Sequence, residues 1–348
     1  MKRAAIYYLT LLIPTLAMVF TSCDKHRPER DSAISLQPAV KKSLGTKAHL
    51  YENIDSLEKF PADYSDGWAG YGGYFHTDVY RTSDAGGVLP YFSSDVSYIS
   101  VIDSWGFIST DNEGKVVFVD YYWPQDGDDN LDFFAYAPRN PSFISVDTGY
   151  NPPQFTCTPP LNSIGQKDFV EFMIAYTPNQ VKSGGAVELS FQHPMSSISF
   201  TLKQAHRNLV IKEVGFHKMY KSGTYKYDKN SQKWTVEYGD TSSIKLDIYK
   251  KIPQDINFSG SIGGPYLVLP QGVEKGLQLF VSYVWDDDNN NTIDKDDEYY
   301  KVANLTSGWE QGMKYTYSLD LGNNQEEILF RVEVEPWDNL SNYTIPIE

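Results

Sequence analysis

Cysteine is almost absent from this chain: Cys23 and Cys157 are the only two in 348 residues. Two cysteines exclude a scaffold held by several disulfides and also a cysteine-rich zinc module. Basic residues are few as well, because 30 Lys and Arg are set against 45 Asp and Glu, and no run of Lys and Arg is longer than two residues. The formal charge of −15 does not favour nucleic acid as a partner. With 41% hydrophobic and 15% aromatic residues, the chain is nevertheless expected to fold, and its length allows two domains.

The short motifs of common enzyme classes are also missing. The sequence has no Gly-x-Ser-x-Gly turn, no phosphate-binding Gly-Lys-Ser/Thr loop and no His-Glu-x-x-His helix, and its six histidines are scattered. A pair of carboxylates for glycoside hydrolysis leaves no sequence signature, because the distance between the two groups is a property of the fold. We therefore predict that the protein is not an enzyme and has no certain cofactor.

The N-terminus has the organisation of a bacterial lipoprotein signal peptide. Lys2-Arg3 form a basic start, and the mostly apolar stretch from Ile6 to Phe20 is short for a bilayer span but typical of a signal peptide. The sequence Phe20-Thr21-Ser22-Cys23 has the pattern of a lipobox, in which the cysteine thiol is acylated. We predict that residues 1–22 are removed and that Cys23 carries the lipid anchor that attaches the protein to a membrane. The alternative is an ordinary signal peptide with a chance cysteine.

The remainder of the chain has the pattern of an antiparallel β protein. From about residue 48, short apolar or alternating runs are separated by Gly, Asn, Asp and Pro. Val187–Phe191 and Ile198–Leu202, for example, alternate apolar and polar residues with a period of two, which is typical of strands with one face on a core. No stretch of eleven or more residues keeps a helical period, so the pattern predicts an all-β fold and excludes a parallel α/β fold.

Composition suggests how the chain is divided. Residues 23–45 mix both charges with Ser and Pro, and we predict that they form a tether between the anchor and the folded part. The Gly- and Ser-containing segment Asn179–Gly185 is the best candidate for a domain seam. The resulting prediction is two antiparallel β-sandwiches in tandem, over residues 46–182 and 183–348.

Several short motifs carry a resemblance to a known family. In chain order they are Tyr122-Trp123-Pro124, Leu131-Asp132-Phe133-Phe134-Ala135-Tyr136-Ala137-Pro138, Leu189 to Phe200 with His193-Pro194-Met195-Ser196 inside it, Leu267-Val268-Leu269-Pro270-Gln271, Trp309 to Tyr317, and Val332 to Trp337. Together they resemble the fimbrillin-like family, the lipoprotein pilus subunits of type V fimbriae in Bacteroidota. The resemblance implies Greek-key, transthyretin-like sandwiches, a location in the outer membrane, on the cell surface or in a fimbrium, and a function in cell adhesion. On their own, the aromatic residues of these motifs indicate core packing rather than ligand binding.

The resemblance also implies a mechanism of assembly. A trypsin-like protease would cut after a basic residue near the first strand, and the vacated groove would accept a strand from another fimbrial subunit. Thr46-Lys47-Ala48 stands where the family has a sequence like Thr-Arg-Ala, so Lys47 is the predicted processing site, with Lys41 and Lys42 as lesser candidates. The tail DNLSNYTIPIE, residues 338–348, is either a donor strand or the last strand of the second sandwich.

An acidic loop near the C-terminus predicts a calcium site. In a twelve-residue calcium loop that begins at residue 286, oxygen-bearing side chains fall at positions 1, 3, 5, 9 and 12, which are Asp286, Asp288, Asn290, Asp294 and Asp297. Position 6 is asparagine instead of glycine, and position 12 is aspartate instead of the longer glutamate. The alternative is a solvated acidic hairpin tip without a metal.

A second function remains open from the sequence. A surface lipoprotein that binds glycans without polymerising would use exposed aromatic residues, and Trp68, Tyr71 and Tyr74 lie in a glycine-punctuated run. A loop packed on its own sandwich is the simpler explanation of this run. The receptor or ligand is not indicated by the sequence.

Overall fold

The computed structural model describes sixteen parts of the chain. They are residues 33–40, 74–82, 87–99, 104–112, 116–125, 130–137, 142–159, 172–182, 185–203, 209–246, 248, 250–252, 259–285, 298–321, 328–336 and 343–346. Every regular element in these ranges is a β-strand, which confirms the all-β prediction. The described ranges contain no helix long and apolar enough to cross a membrane.

Twenty-two strands lie in the described residues. In chain order they are β1 (Leu36–Val40), β2 (Tyr74–Thr82), β3 (Val88–Ile99), β4 (Ser104–Thr110), β5 (Val116–Val119), β6 (Asn130–Ala137), β7 (Ile144–Asp147), β8 (Gln154–Cys157), β9 (Met173–Gln180), β10 (Val187–Phe191), β11 (Ser196–Lys203), β12 (Leu209–Tyr220), β13 (Gly223–Asp228), β14 (Lys233–Tyr238), β15 (Thr241–Leu246), β16 (Lys250–Ile252), β17 (Ser259–Val268), β18 (Gln278–Trp285), β19 (Glu298–Asn304), β20 (Met313–Leu321), β21 (Ile328–Pro336) and β22 (Tyr343–Pro346).

The first half of the chain is built around a six-stranded antiparallel sheet with the order β5-β4-β3-β2-β6-β9. One face of this sheet packs against the two-stranded parallel sheet β1-β10, and the other packs against the four-stranded sheet β14-β13-β8-β7. Strand β6 is therefore covered on both sides: Leu131 and Phe133 join the first core, whereas Phe134 and Tyr136 join the second. This double coverage explains why β6 is a nearly continuous apolar run instead of an alternating one.

The second half forms a sandwich of two further sheets. The five-stranded sheet has the order β17-β11-β20-β21-β22, in which β11 and β20 are parallel. The facing sheet has the order β15-β12-β18-β19, with β16 paired to another part of β12. The third core lies between these two sheets. Strand β19, at the edge, is exposed at every second residue, as expected for a strand with one face in solvent.

The two halves interlock through the four-stranded sheet. Strand β13, from the second half, pairs with β8, from the first, so that Tyr225 lies opposite Phe155 and the two rings stack at 4.5 Å. In addition, β10 packs in the core of the first half, although it follows the expected seam at residues 182 and 183. The Gly- and Ser-rich segment therefore connects two strands of one core. Its composition signals a turn, and a turn between strands has the same composition as a turn between domains.

The structure also differs from the expected tether. Residues 36–40, which lie inside the range 23–45, form strand β1, and the preceding Ile34 is buried with it. Ile34, Leu36 and Pro38 alternate with the exposed Ser35 and Gln37. This period of two is short and lies among charged residues, so it is easily missed in the sequence.

Candidate functional site

Strand β1 fills a groove in the first half of the molecule. Leu36 to Val40 pair in parallel with Val187 to Phe191 of β10, and the Val187 N–H donates to the Ser35 carbonyl at 2.8 Å. Just before β1, the Ile34 N–H donates to the Tyr121 carbonyl at 2.8 Å. The strand thus has hydrogen bonds to β10 and to the segment Tyr121–Trp123. We call the space between these two segments and the six-stranded sheet the first-strand groove.

The floor of the first-strand groove is apolar. Ile34 and Leu36 are each 6% exposed, and they pack in the core that contains Phe75, Leu189 and Phe191. The Phe75 and Phe191 rings meet edge to face at 5.2 Å. Full burial of an Ile or Leu side chain is worth about 1.5–3 kcal/mol. Removal of β1 would therefore expose apolar surface and unpaired backbone groups together, and a replacement strand could satisfy both.

The motif Tyr122-Trp123-Pro124 forms one wall of the first-strand groove. The Tyr91 hydroxyl donates to the Tyr122 carbonyl at 2.7 Å, and the Trp123 ring packs against Phe133 of β6 at 6.2 Å. The two most specific motifs of the sequence are thus in contact with each other. They support the groove by core packing, in agreement with the structural interpretation of their aromatic residues.

The two late motifs also contact each other, in the second sandwich. Gln271 and Trp309 exchange both backbone hydrogen bonds, at 2.9 and 2.7 Å, and the Trp309 indole N–H donates to the Tyr317 hydroxyl at 2.9 Å. Gly308 lies so close to this pair that a Cβ there would be 2.0 Å from the Gln271 carbonyl oxygen. Glycine at 308 is therefore required by close backbone packing.

A serine, a histidine and two aspartates form a cluster on strands β2 and β3. The His76 Nδ1 lies 2.8 Å from Asp95 Oδ1, and Nε2 lies 2.9 Å from Ser93 Oγ and 3.4 Å from Asp78 Oδ1. Burial of the ring lowers the pKa of His76, but hydrogen bonds and attraction from Asp78 and Asp95 outweigh this effect and raise the pKa to about 9. At neutral pH the ring is an imidazolium that donates from both nitrogens. It cannot take a proton from Ser93, so the cluster stabilises the sheet and does not activate the serine.

This cluster predicts a pH-dependent contribution to stability. Because the pKa of His76 is raised from 6.5 to about 9, its stabilisation is complete below pH 6.5 and is lost as the pH rises through about 9. We expect the free energy of unfolding of the wild type to fall between pH 6 and 10 by on the order of 2 kcal/mol more than that of His76→Gln. Chemical denaturation at each pH measures this difference. His217→Gln, on another sheet, serves as the control, and parallel pH profiles for wild type and His76→Gln would contradict the assignment.

Several predicted site residues lie outside the described residues. They are Cys23, the basic residues Lys41, Lys42 and Lys47, the calcium-loop residues Asp286, Asp288, Asn290, Asp294 and Asp297, and the aromatic residues Trp68 and Tyr71. Tyr74 begins strand β2. Among the residues that the structure describes, no group of three or more His, Cys, Asp or Glu side chains is placed to hold a metal ion.

The end of the chain pairs with its own second sandwich. Strand β22 is antiparallel to β21, with Tyr343 opposite Val334 and Ile345 opposite Val332. It occupies the edge of the five-stranded sheet and has β21 as its only partner in that sheet order. Of the two predicted alternatives for the tail, the last strand of the sandwich is therefore the one seen within this subunit. An edge strand is also the easiest kind of strand to release.

Sequence reasoning missed the segment that fills the first-strand groove, which is β1 and the preceding Ile34. Ile34, Leu36 and Pro38 fall in the range 23–45, for which the composition predicts a tether. Residues 34–38 do alternate apolar and polar side chains, which is the pattern of a strand. The partner strand β10, however, lies about 150 positions later in the chain, and no local pattern identifies such a partner.

Comparison with known proteins agrees with this architecture. The family model for fimbrillin-like proteins matches residues 93–337. A fimbrial protein from Bacteroides vulgatus has a similar solved structure, with a TM-score of 0.56 and 18% identity over 88% of this chain and 99% of that chain. A candidate cell adhesion protein from Bacteroides uniformis has a TM-score of 0.47 and 14% identity over 88% of this chain and 99% of that chain. Curated protein sequences contain no match. Because the family model covers well over half of its length, the chain belongs to the fimbrillin-like family.

Proposed function

We propose that this fimbrial subunit, which acts in cell adhesion, polymerises by strand exchange after proteolytic removal of its N-terminal segment. Cleavage after Lys47 would separate β1 from the rest of the chain, since β1 ends at Val40. The first-strand groove would then accept a strand of a neighbouring fimbrial subunit. The fimbrillin-like family is one of structural proteins and not of enzymes.

One observation carries this proposal. Strand β1 is a short parallel strand, and its Leu36, together with the preceding Ile34, enters the core of a sandwich that is otherwise built from residues 74 onward. The predicted cut site lies between β1 and that sandwich. A single cut therefore converts a covalently attached strand into a short peptide, which can dissociate and be replaced.

The tail of the chain is a suitable replacement strand. Tyr343, Ile345 and Ile347 alternate with other residues, with the same spacing as the buried Ile34, Leu36 and Pro38 in and just before β1. Pockets that accept alternate side chains of an extended peptide are the basis of specificity in strand addition. We propose that the tail leaves β21 in one subunit and enters the first-strand groove of the next.

The N-terminal segment supplies the anchor before cleavage. We propose that residues 1–22 are a lipoprotein signal peptide and that acylated Cys23 holds the precursor at the outer membrane. Several acyl chains, each methylene worth about 0.8 kcal/mol, hold a protein at a bilayer without a spanning helix. Cleavage after Lys47 would release the subunit from this anchor for assembly.

Limited trypsin digestion tests the proposal. The purified protein that begins at Asp24 is expected to lose the residues up to Lys47 and then to form a ladder of oligomers on a non-denaturing gel, because emptied grooves capture tails. The variant Lys41→Gln/Lys42→Gln/Lys47→Gln/Lys59→Gln has no Lys or Arg between β1 and β2, and it is expected to keep β1 and to stay monomeric. The variant Lys47→Arg is expected to be cut and to assemble. N-terminal sequencing identifies the cut. A protein that is cut at Lys47, has lost β1 and remains monomeric would contradict the proposal.

A further inference from the structure

A second concave surface lies in the second half of the molecule, away from the strands that form the first-strand groove. It is a cleft of about 360 Å³ where the turn Pro270–Gly272 meets the segment Ser307–Glu310 and the ends of β14, β20 and β21. This volume is in the range of small-molecule sites. We call it the Tyr238 cleft, because Tyr238 contributes the most exposed aromatic ring of its lining.

Tyr238 presents a fixed aromatic face to this cleft. Its ring stacks on Tyr220 with centroids 4.3 Å apart and planes 15° apart, and its hydroxyl donates to the Pro270 carbonyl at 2.5 Å. The side chain is nevertheless 38% exposed. Tyr220 covers one face of the ring, and Tyr238 lines the cleft. A rigid aromatic face of this kind binds an apolar surface with little loss of conformational entropy.

Gln271 brings an unsatisfied hydrogen-bond donor to the same cleft. The residue is 3% exposed, and its Oε1 accepts from the Tyr220 N–H at 3.1 Å. Its buried Nε2 has no hydrogen-bond partner among the described residues. An unpaired buried donor costs about 1–3 kcal/mol. The unpaired Gln271 amide therefore requires an explanation, and a hydrogen-bond acceptor on a ligand is one. Because the nitrogen lies below the surface of the cleft, a hydroxyl oxygen of a ligand would supply this acceptor once the amide turns toward the cleft.

Glu310 adds an acceptor at the rim. Its side chain is exposed and lines the cleft, and its backbone N–H is already used, as a donor to the Tyr315 hydroxyl at 2.9 Å. Carboxylate oxygens accept from hydroxyl groups. The cleft thus combines an apolar face, an amide donor and a carboxylate acceptor. A pyranose ring has the matching chemistry, because one of its faces is lined by C–H groups and its edge carries hydroxyls that both donate and accept.

We propose that the Tyr238 cleft binds one pyranose unit of a glycan, with the apolar face of the sugar on Tyr238 and its hydroxyls toward Gln271 and Glu310. This site lies outside the first-strand groove, because none of its lining residues belongs to β1, β10 or the segment Tyr121–Trp123. It borders the tail through Val334 of β21, which pairs with Tyr343, and for this reason the test uses the uncleaved monomer. The cleft would supply the adhesive contact of a subunit whose polymerisation uses another part of the molecule.

Binding of the uncleaved monomer to immobilised neoglycoproteins tests the proposal. The probes carry mannose, galactose, fucose or N-acetylglucosamine, and biolayer interferometry measures the affinity of each. We expect at least one probe to bind, and Tyr238→Ala to weaken that binding at least tenfold. Tyr238→Phe, which keeps the ring, and Tyr150→Ala, which removes a 50% exposed tyrosine outside the cleft, are expected to bind within twofold of wild type.

A second variant keeps the test decisive if Tyr238→Ala does not fold. Glu310→Ala changes an exposed side chain and is expected to weaken the same probe severalfold, with an unchanged melting temperature. Absence of binding to every probe would overturn the proposal. So would binding that Tyr238→Ala and Glu310→Ala leave unchanged, or binding that Tyr150→Ala reduces as strongly as they do.

Discussion

Tyr225→Ala is expected to lower the free energy of unfolding by roughly 3–5 kcal/mol. Tyr225 is fully buried, its ring stacks on Phe155 at 4.5 Å, and its hydroxyl donates to the Pro194 carbonyl at 2.9 Å. The substitution removes the ring, leaves a cavity and orphans a buried carbonyl oxygen. Urea denaturation followed by circular dichroism measures the change.

Two further variants separate the contributions to this effect. Tyr225→Phe keeps the ring and loses only the hydrogen bond, so we expect it to cost about 1–2 kcal/mol. Tyr150→Ala removes a half-exposed tyrosine on the β7–β8 turn, and such surface changes are usually worth no more than 0.5 kcal/mol. Equal stabilities of Tyr225→Ala and Tyr150→Ala would contradict the assigned packing.

The same experiment tests whether the two halves unfold together. Tyr225 belongs to the second half of the chain and Phe155 to the first, and the sheet that joins them contains two strands from each half. We therefore expect the wild type to unfold in one cooperative transition and Tyr225→Ala to move the whole transition to lower urea. Two separate transitions in the wild type, only one of which moves in the variant, would show that the halves are independent.

The local pattern of the sequence was sufficient for the fold class and for many strands. The alternation of Val187–Phe191 and Ile198–Leu202 predicted β10 and β11, and both strands are present with their apolar residues buried. In β6 the apolar residues are nearly continuous, and the structure explains this run by layers on both faces of the strand. These features are local, since side-chain period and burial depend on immediate neighbours.

The arrangement of the strands was not accessible in the same way. The pairing of β8 with β13 joins positions about 70 residues apart, and the pairing of β1 with β10 joins positions about 150 apart. The sequence of one strand does not identify its partner, because a period of two indicates only that one face of the strand is buried. The Tyr238 cleft is assembled in the same non-local manner, from the turns that hold Gln271 and Trp309 and from strand ends in the four-stranded and five-stranded sheets.

The assembly groove and the Tyr238 cleft can be tested separately. A variant that binds sugar but does not polymerise would have its defect in the first-strand groove. A variant that polymerises but does not bind sugar would have its defect in the Tyr238 cleft. Assembly is the central claim, and it requires that β1 leave the first-strand groove.

A reversible disulfide between β1 and β10 tests that claim most directly. Gln37 lies opposite Glu188 in the parallel pair, and both are exposed. Neighbouring strands are about 4.8 Å apart, which suits a disulfide. Gln37→Cys/Glu188→Cys, in the protein that begins at Asp24, leaves Cys157 as the other thiol, and that thiol is fully buried. Gln37→Cys alone, which cannot form the cross-link, is the matched control.

The measurement is the size distribution of the trypsin-cut double variant by size-exclusion chromatography, before and after addition of a reductant. We predict that the oxidised protein keeps the N-terminal fragment by its disulfide and elutes as a monomer, and that reduction releases the fragment and produces oligomers. The single variant should form oligomers in both conditions. Equal polymerisation of the oxidised and reduced double variant, or a reduced protein that has lost its fragment and stays monomeric, would contradict strand exchange.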